Sequence, residues 1–286
     1  MEPLIDVDGL VRRLDDPTVR VLDVRFSLAD TAAGRRAYEA GHVPGAVYLH
    51  LDDDLSGPVR EHGGRHPLPD PGDFARTAGR AGIGDATHVV VVDEGDAMVA
   101  SRVWWLLRWL GHEAVQVLDG GMAAWRAAGA PLETDEVRPP AAVFTPRERP
   151  EMVVERDWLL RHADDADVLV IDVRAPERFR GEVEPLDPVA GHVPGAVNRP
   201  YLDNLEGGRF RSADDLRERY ADAAGATPVL YCGSGVSAAQ GLLALEVAGL
   251  RGAKLYAGSW SDWVSYGDAP VARGPEGAEA TADDDA

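Results

Sequence analysis

The sequence predicts an α/β protein built from two copies of one domain, each a parallel sheet flanked by helices on both faces. Three observations carry that expectation. Gly41-His42-Val43-Pro44-Gly45-Ala46-Val47 returns as Gly191-His192-Val193-Pro194-Gly195-Ala196-Val197. Two further landmarks recur in the same order. Val21-Leu22-Asp23-Val24-Arg25 is echoed by Val170-Ile171-Asp172-Val173-Arg174, and Leu118-Asp119-Gly120-Gly121 with Trp125 by Tyr256-Ala257-Gly258-Ser259 with Trp263. Their offsets drift from 150 to 138 residues, as expected of duplicated domains with loop insertions. Finally, the apolar runs are short and nearly continuous, which suits parallel strands buried on both faces.

In the first copy, strands are expected at 19–24, 89–92 and 115–118, with helices at 98–110 and 121–128. In the second, strands are expected at 168–173, 228–231 and 253–256, with helices at 213–224 and 237–248. Gly249 is a good stop for the last helix. Between the copies, Pro131, Pro139, Pro140, Pro146 and Pro150 exclude helix or central strand. The expected division is an N-terminal domain 1–130, a linker 131–150, a C-terminal domain 151–272 and a tail 273–286. That tail is Gly, Ala, Pro and acid, a composition expected to stay disordered.

Composition narrows the functional classes. With 286 residues, 45% hydrophobic and 27% charged, the chain is globular and suits two domains. Its net charge of −20 would repel nucleic acid and anionic membrane surfaces, so neither is expected as a partner. Any anion pocket must therefore be built locally, from a few arginines and backbone N–H groups. The single cysteine, Cys232, excludes an internal disulfide framework and cysteine-rich metal sites, and it fits a reducing compartment. No signal peptide opens the sequence and no apolar run approaches a membrane span, so a cytoplasmic protein is expected.

The cysteine stands where α/β folds place their chemistry, at the carboxyl end of an expected strand. Cys232-Gly233-Ser234-Gly235-Val236-Ser237 joins strand 228–231 to helix 237–248. Gly233 and Gly235 let the loop curl so that successive N–H groups converge, and the helix beginning at Ser237 adds its positive end. A sulfur at that focus would be favoured as the nucleophilic thiolate. The alternative is a small buried hydrophobe, a common fate of a lone cysteine. Three rival chemistries fit poorly. A Cys-x5-Arg phosphatase needs an arginine where Ala238 stands, and a Gly-x-Ser-x-Gly hydrolase on Ser234 needs glycines where Cys232 and Val236 stand. His62 and His66 have a metal-like spacing but lie in a glycine-rich loop.

Two copies carrying Asp-Val-Arg, Gly-His-Val-Pro-Gly-Ala and a terminal Gly-x-x-x-Trp segment resemble the tandem-domain rhodanese sulfurtransferases over residues 5–268. In that family the N-terminal domain lacks the cysteine; here Val89-Val90-Val91-Val92 ends in Asp93. The loop Cys-Gly-Ser-Gly-Val-Ser is similar to the Cys-Gly-Ser-Gly-Val-Thr of the 3-mercaptopyruvate branch, differing only at Ser237. Thiosulfate sulfurtransferases carry two cations in that loop instead. The resemblance implies a nucleophile at Cys232 and a loop of Gly233, Gly235, Val236 and Ser237 that binds the substrate.

By the same resemblance, Arg178, in Glu177-Arg178-Phe179-Arg180-Gly181, holds the substrate carboxylate. A serine–histidine–aspartate relay falls on Ser234, His66 and Asp52, with Asp53 and Asp54 adjoining the last. One position departs from the pattern. The family's second substrate arginine follows a Glu-Pro pair, and here Glu184-Pro185 is followed by Leu186. Arg180 and Arg199 are candidates to compensate. His42 and His192 occur in both copies and read as structural.

The implied activity moves a sulfane sulfur from 3-mercaptopyruvate through a Cys232 persulfide to a thiol, a thioredoxin-like protein or cyanide, releasing pyruvate. The rivals are thiosulfate as donor and a non-catalytic persulfide carrier. The partners expected are a small-molecule sulfur donor and an external thiol acceptor, with no metal or organic cofactor.

Overall fold

A computed structural model describes residues 1–277 and 280–281. The chain divides into two compact units. The first comprises residues 1–57, 68–150 and 205–210, and the second 58–67, 151–204 and 211–286. Both are α/β, as expected.

The first unit holds strands β1 (Leu4–Ile5), β2 (Val19–Asp23), β3 (Val47–Tyr48), β4 (His88–Val92) and β5 (Val115–Leu118). Every pairing is parallel, in the order β1-β5-β4-β2-β3. All five residues of β4 are buried, because helices cover both faces of this central strand. Val7, Leu10, Met122 and Trp125 pack against Val90 and Val92 in one apolar cluster. The helix Met98–Trp109 is buried nearly all round, as an interior helix should be.

Further along, β6 (Val153–Val154), β7 (Val168–Asp172) and β8 (Val197–Asn198) are followed by the short strands β9 (Leu205–Glu206) and β10 (Arg209–Phe210). Next come β11 (Thr227–Tyr231), β12 (Lys254–Tyr256), β13 (Val271–Ala272) and β14 (Ala280–Thr281). The second unit's sheet runs β6-β12-β11-β7-β8, again all parallel, repeating the order of the first. Helix Ser237–Val247 has eight buried residues, from Ala238 to Leu245, and closes one face.

The two repeated motifs are one device. Asp23 and Arg25 form a buried ion pair at 2.7 Å, and Arg25 Nη2 donates to the Gly41 carbonyl at 2.9 Å. Asp172 and Arg174 do the same at 2.6 Å, with Arg174 Nη2 on the Gly191 carbonyl. Buried charges must be paired and hydrogen-bonded to be tolerated, and here the pair anchors the Gly-His-Val-Pro-Gly turn to a strand end. His42 stacks on Tyr38 and His192 on Phe179, each with Nδ1 on that segment's carbonyl oxygen. Both histidines are fully buried, which agrees with their structural reading.

The structure corrects three expectations. Residues 131–150 form no free linker: Glu133 pairs with His42, the Thr145 N–H donates to Asp85, and Phe144 is buried. Helix 213–224 stops at Arg219, and only a 3-10 turn at Ala221–Ala223 continues it. The tail is structured where it is described. β14 pairs with β13, and the Glu276 carboxylate accepts from Asn198 N and Arg199 Nη1. Residues 278–279 and 282–286 of the expected disordered tail lie outside the described residues.

Candidate active site

Strand β11 delivers Cys232 at its carboxyl end, and the loop to Ser237 is held by a second turn. Trp260 N donates to the Cys232 carbonyl at 2.9 Å and Ser261 N to the Gly233 carbonyl at 3.0 Å. Cys232 N donates to Ser259 Oγ at 3.1 Å, and that hydroxyl donates to the Tyr256 carbonyl. Ser259 adopts a left-handed backbone, φ +57°, rare for a residue with a side chain. Gly235 has φ +77°, and a Cβ there would lie 2.2 Å from the Ala257 carbonyl oxygen, so only glycine fits.

Inside the loop, the Gly235 N–H donates to Cys232 Sγ at 3.1 Å. The N–H groups of Gly233, Ser234, Val236 and Ser237 donate to no protein acceptor among the described residues. With the Gly235 N–H already on the sulfur at a helix start, these further N–H groups are the candidate donors of an anion-binding nest. Cys232 is 1% exposed.

Ser234 and His66 come together as the resemblance implied. Ser234 Oγ lies 2.7 Å from His66 Nδ1, and both residues are buried. The histidine arrives on segment 58–67, which belongs to the second unit. His62, four residues earlier, turns instead to Ser265 Oγ at 2.8 Å and stacks on Tyr266. Asp52 lies in the first unit, on the short helix Leu51–Asp54, with an exposed side chain.

Arg178 sits on the short helix Pro176–Phe179 and is 18% exposed. Its Nη2 lies 2.7 Å from Glu184 Oε1 and 3.5 Å from Asp187 Oδ2. Arg174 also reaches Glu184, at 3.2 Å. Leu186, at the family's second arginine position, is half-exposed. The two suggested replacements are engaged elsewhere: Arg180 pairs with Glu182, and Arg199 with Asp222 and Glu276.

Sequence reasoning missed Arg65, Asp187, Ser259 and Asp262. Asp187 takes the Arg65 guanidinium, and burial pushes its carboxyl above the usual range against the pull of Arg65 and Arg178. Asp262 accepts the Gly63 N–H at 2.7 Å and the Tyr256 hydroxyl at 2.6 Å. A signal existed for Ser259, which lies in the repeated segment before Trp263. None existed for Arg65, whose partner is 122 positions away.

Comparison with known proteins places this architecture. A family model described as a rhodanese-like domain matches residues 6–128 and 155–266. Two bacterial relatives carry provisional names. One, from Pseudomonas aeruginosa, is named a 3-mercaptopyruvate sulfurtransferase and is 42% identical over 95% of this chain and 98% of its own. The other, from Mycobacterium tuberculosis, is named the thiosulfate sulfurtransferase SseB and is 42% identical over 91% and 92%. Among solved structures, SseA from Escherichia coli, described as a 3-mercaptopyruvate sulfotransferase with the rhodanese fold, matches with a TM-score of 0.81. It is 33% identical, and the match covers 91% of this chain and 100% of that one.

Proposed function

The chain belongs to the rhodanese family of sulfurtransferases, and from that premise we propose that it takes sulfur from 3-mercaptopyruvate through a persulfide on Cys232. The Cys232 thiolate attacks the donor sulfur, forming an S–S bond while the carbon–sulfur bond breaks. The bonding pair leaves as the enolate of pyruvate, which must gain a proton to become product. Ser234 Oγ–H donates it, resupplied through His66 Nδ1. Arg178 orients the donor carboxylate; a guanidinium fork suits that group. The outer sulfur of the persulfide is received by the unspent N–H groups of Gly233, Ser234, Val236 and Ser237.

Transfer completes when an external thiol, a thioredoxin-like protein or cyanide attacks the outer sulfur and releases the Cys232 thiolate. An outside acceptor is required, since no second cysteine exists to resolve the persulfide. A reducing, cytoplasmic setting suits this chemistry. Asp52 enters the proposal by family position alone. Among the described residues, no helix is long and apolar enough to cross a membrane.

One observation carries the choice of donor: the 2.7 Å contact between Ser234 Oγ and His66 Nδ1. Breaking a carbon–sulfur bond creates a basic enolate that needs a proton, whereas cleavage of thiosulfate releases sulfite and needs none. Thiosulfate remains the second reading. The provisional name of the M. tuberculosis relative favours it, as do the guanidiniums beside the loop, which suit an inorganic dianion. Steady-state kinetics with both donors under identical conditions decide between them. The expected result is a higher kcat/KM for 3-mercaptopyruvate; a higher value for thiosulfate would replace this reading with its rival.

A further inference from the structure

The residue after the nucleophile, Gly233, lies beneath two guanidiniums. A Cβ placed on it would be 2.8 Å from Arg65 Nη2 and 3.5 Å from both Nη atoms of Arg178. Arg178 is the arginine expected from the family pattern, but Arg65 is not. Its backbone is fixed to the turn that holds the cysteine loop. Arg65 N donates to Ser261 Oγ at 3.1 Å and Gly63 N to Asp262 Oδ1 at 2.7 Å. Its Nη1 pairs with Asp187 Oδ1, while the other oxygen of that carboxylate faces Arg178 Nη2 at 3.5 Å. One buried carboxylate thus spaces two forks.

Exposure sorts these charges by sign. The side chains of Asp187 and Glu184 are 4% and 3% exposed, those of Arg65 and Arg178 31% and 18%. The acids lie behind, and the cations keep open surface beside the nucleophile. Arg65 Nη2, its atom nearest the loop, makes no hydrogen bond among the described residues. In a chain of net charge −20, an anionic donor needs such a local cation pair. At the family's second arginine position stands Leu186, half-exposed and without charge.

We infer that Arg65 supplies the second guanidinium for the donor's carboxylate, replacing from segment 58–67 the arginine absent at Leu186. This rests on the reading of 3-mercaptopyruvate as donor. Arg178 and Arg65 grip the carboxylate from two sides, which fixes the sulfur over Cys232.

Arg65→Gln and Arg65→Lys test it by kinetics and by alkylation. Arg65→Gln should raise KM for 3-mercaptopyruvate about 10–100-fold, the loss of one charge-assisted contact, with kcat within about threefold. Arg65→Lys, which keeps the charge, should recover part of that loss. Because Cys232 is the only cysteine, alkylation reports on this site alone. The rate ratio of iodoacetate to neutral iodoacetamide should fall about tenfold in Arg65→Gln, and melting temperatures confirm that the variants fold. An unchanged KM in folded Arg65→Gln overturns the inference, even if the alkylation ratio moves. If wild type does not use 3-mercaptopyruvate, the donor reading fails instead, and the ratio alone still decides whether Arg65 receives a carboxylate.

Discussion

The same frame stands at the end of the central strand in both units, filled differently. In the second unit Trp260 N and Ser261 N hold the carbonyls of Cys232 and Gly233; in the first, Met122 N and Ala123 N hold those of Asp93 and Glu94, at 2.8 and 3.0 Å. Within the first frame, the Asp93 carboxylate accepts from Gly95 N, Ala97 N and Ala100 N. Within the second, Cys232 Sγ accepts from Gly235 N, and the N–H groups of Gly233, Ser234, Val236 and Ser237 meet no protein acceptor among the described residues. A carboxyl group supplied by the chain occupies one loop, while the other is left to receive a group from outside. The fold needs a pinned strand end, whereas the chemistry needs uncommitted donors beside it.

Exchanging the contents should break that contrast most sharply. Cys232→Ser should lower sulfur transfer by at least about 10³-fold. Adding Asp93→Cys should not restore it, because the Asp96 carboxyl adjoins that loop and Ala97 holds a left-handed backbone. Turnover by the double variant would show that the two frames are equivalent.

Next in size is the proton. Ser234→Ala should reduce kcat with 3-mercaptopyruvate about 100-fold, the usual worth of a positioned acid, and affect thiosulfate turnover far less. Equal losses with both donors would remove the serine from the proton pathway.

A third test concerns the backbone of the active loop. Gly235→Ala incurs the left-handed cost of about 1–2 kcal/mol plus a clash with the Ala257 carbonyl. Gly45→Ala, with φ +74° and open space around it, incurs the first cost alone. Denaturant unfolding should therefore rank Gly235→Ala as the more destabilised; equal costs would mean that the loop yields.

A further test is a pH dependence. Burial, then Asp96, push the Asp93 carboxyl up to about 7 against three N–H donors. The folded form therefore holds that proton more tightly than the unfolded chain, whose value is about 3.8. Its contribution to stability is full below that lower value and is lost as pH rises through about 7. Asp93→Asn should flatten this part of the stability profile. A wild-type profile no steeper than that of the variant over this interval would contradict the assignment.

Much of this was legible in the residues. The runs Val89–Val92 and Pro228–Tyr231 are continuous because both faces of their strands are covered, and the observed strands add only His88 and Thr227. The two-residue edge strands β1, β3, β6 and β8 were not readable, being too short to carry a period. Helix Pro71–Arg80 was missed although its start was written plainly: Asp70 caps Gly72 N and Asp73 N, and Pro71 takes the first turn. The expected helix 213–224 ends at Arg219, because Tyr220 leaves the helical backbone with φ −107°. At the site, Cys232 and Ser234 were legible from the strand–loop–helix context, and His66 only through family resemblance. Arg65 was hidden because its place depends on Asp187, Ser261 and Asp262, all remote in sequence.

Above all, the proposed chemistry requires Cys232 to carry the transferred sulfur. Mass spectrometry of the protein after incubation with 3-mercaptopyruvate and no acceptor tests it directly. One added sulfur atom is expected, located on the peptide containing Cys232 and removed by cyanide or a thiol. An unmodified Cys232 peptide, with turnover persisting in Cys232→Ser, would contradict it.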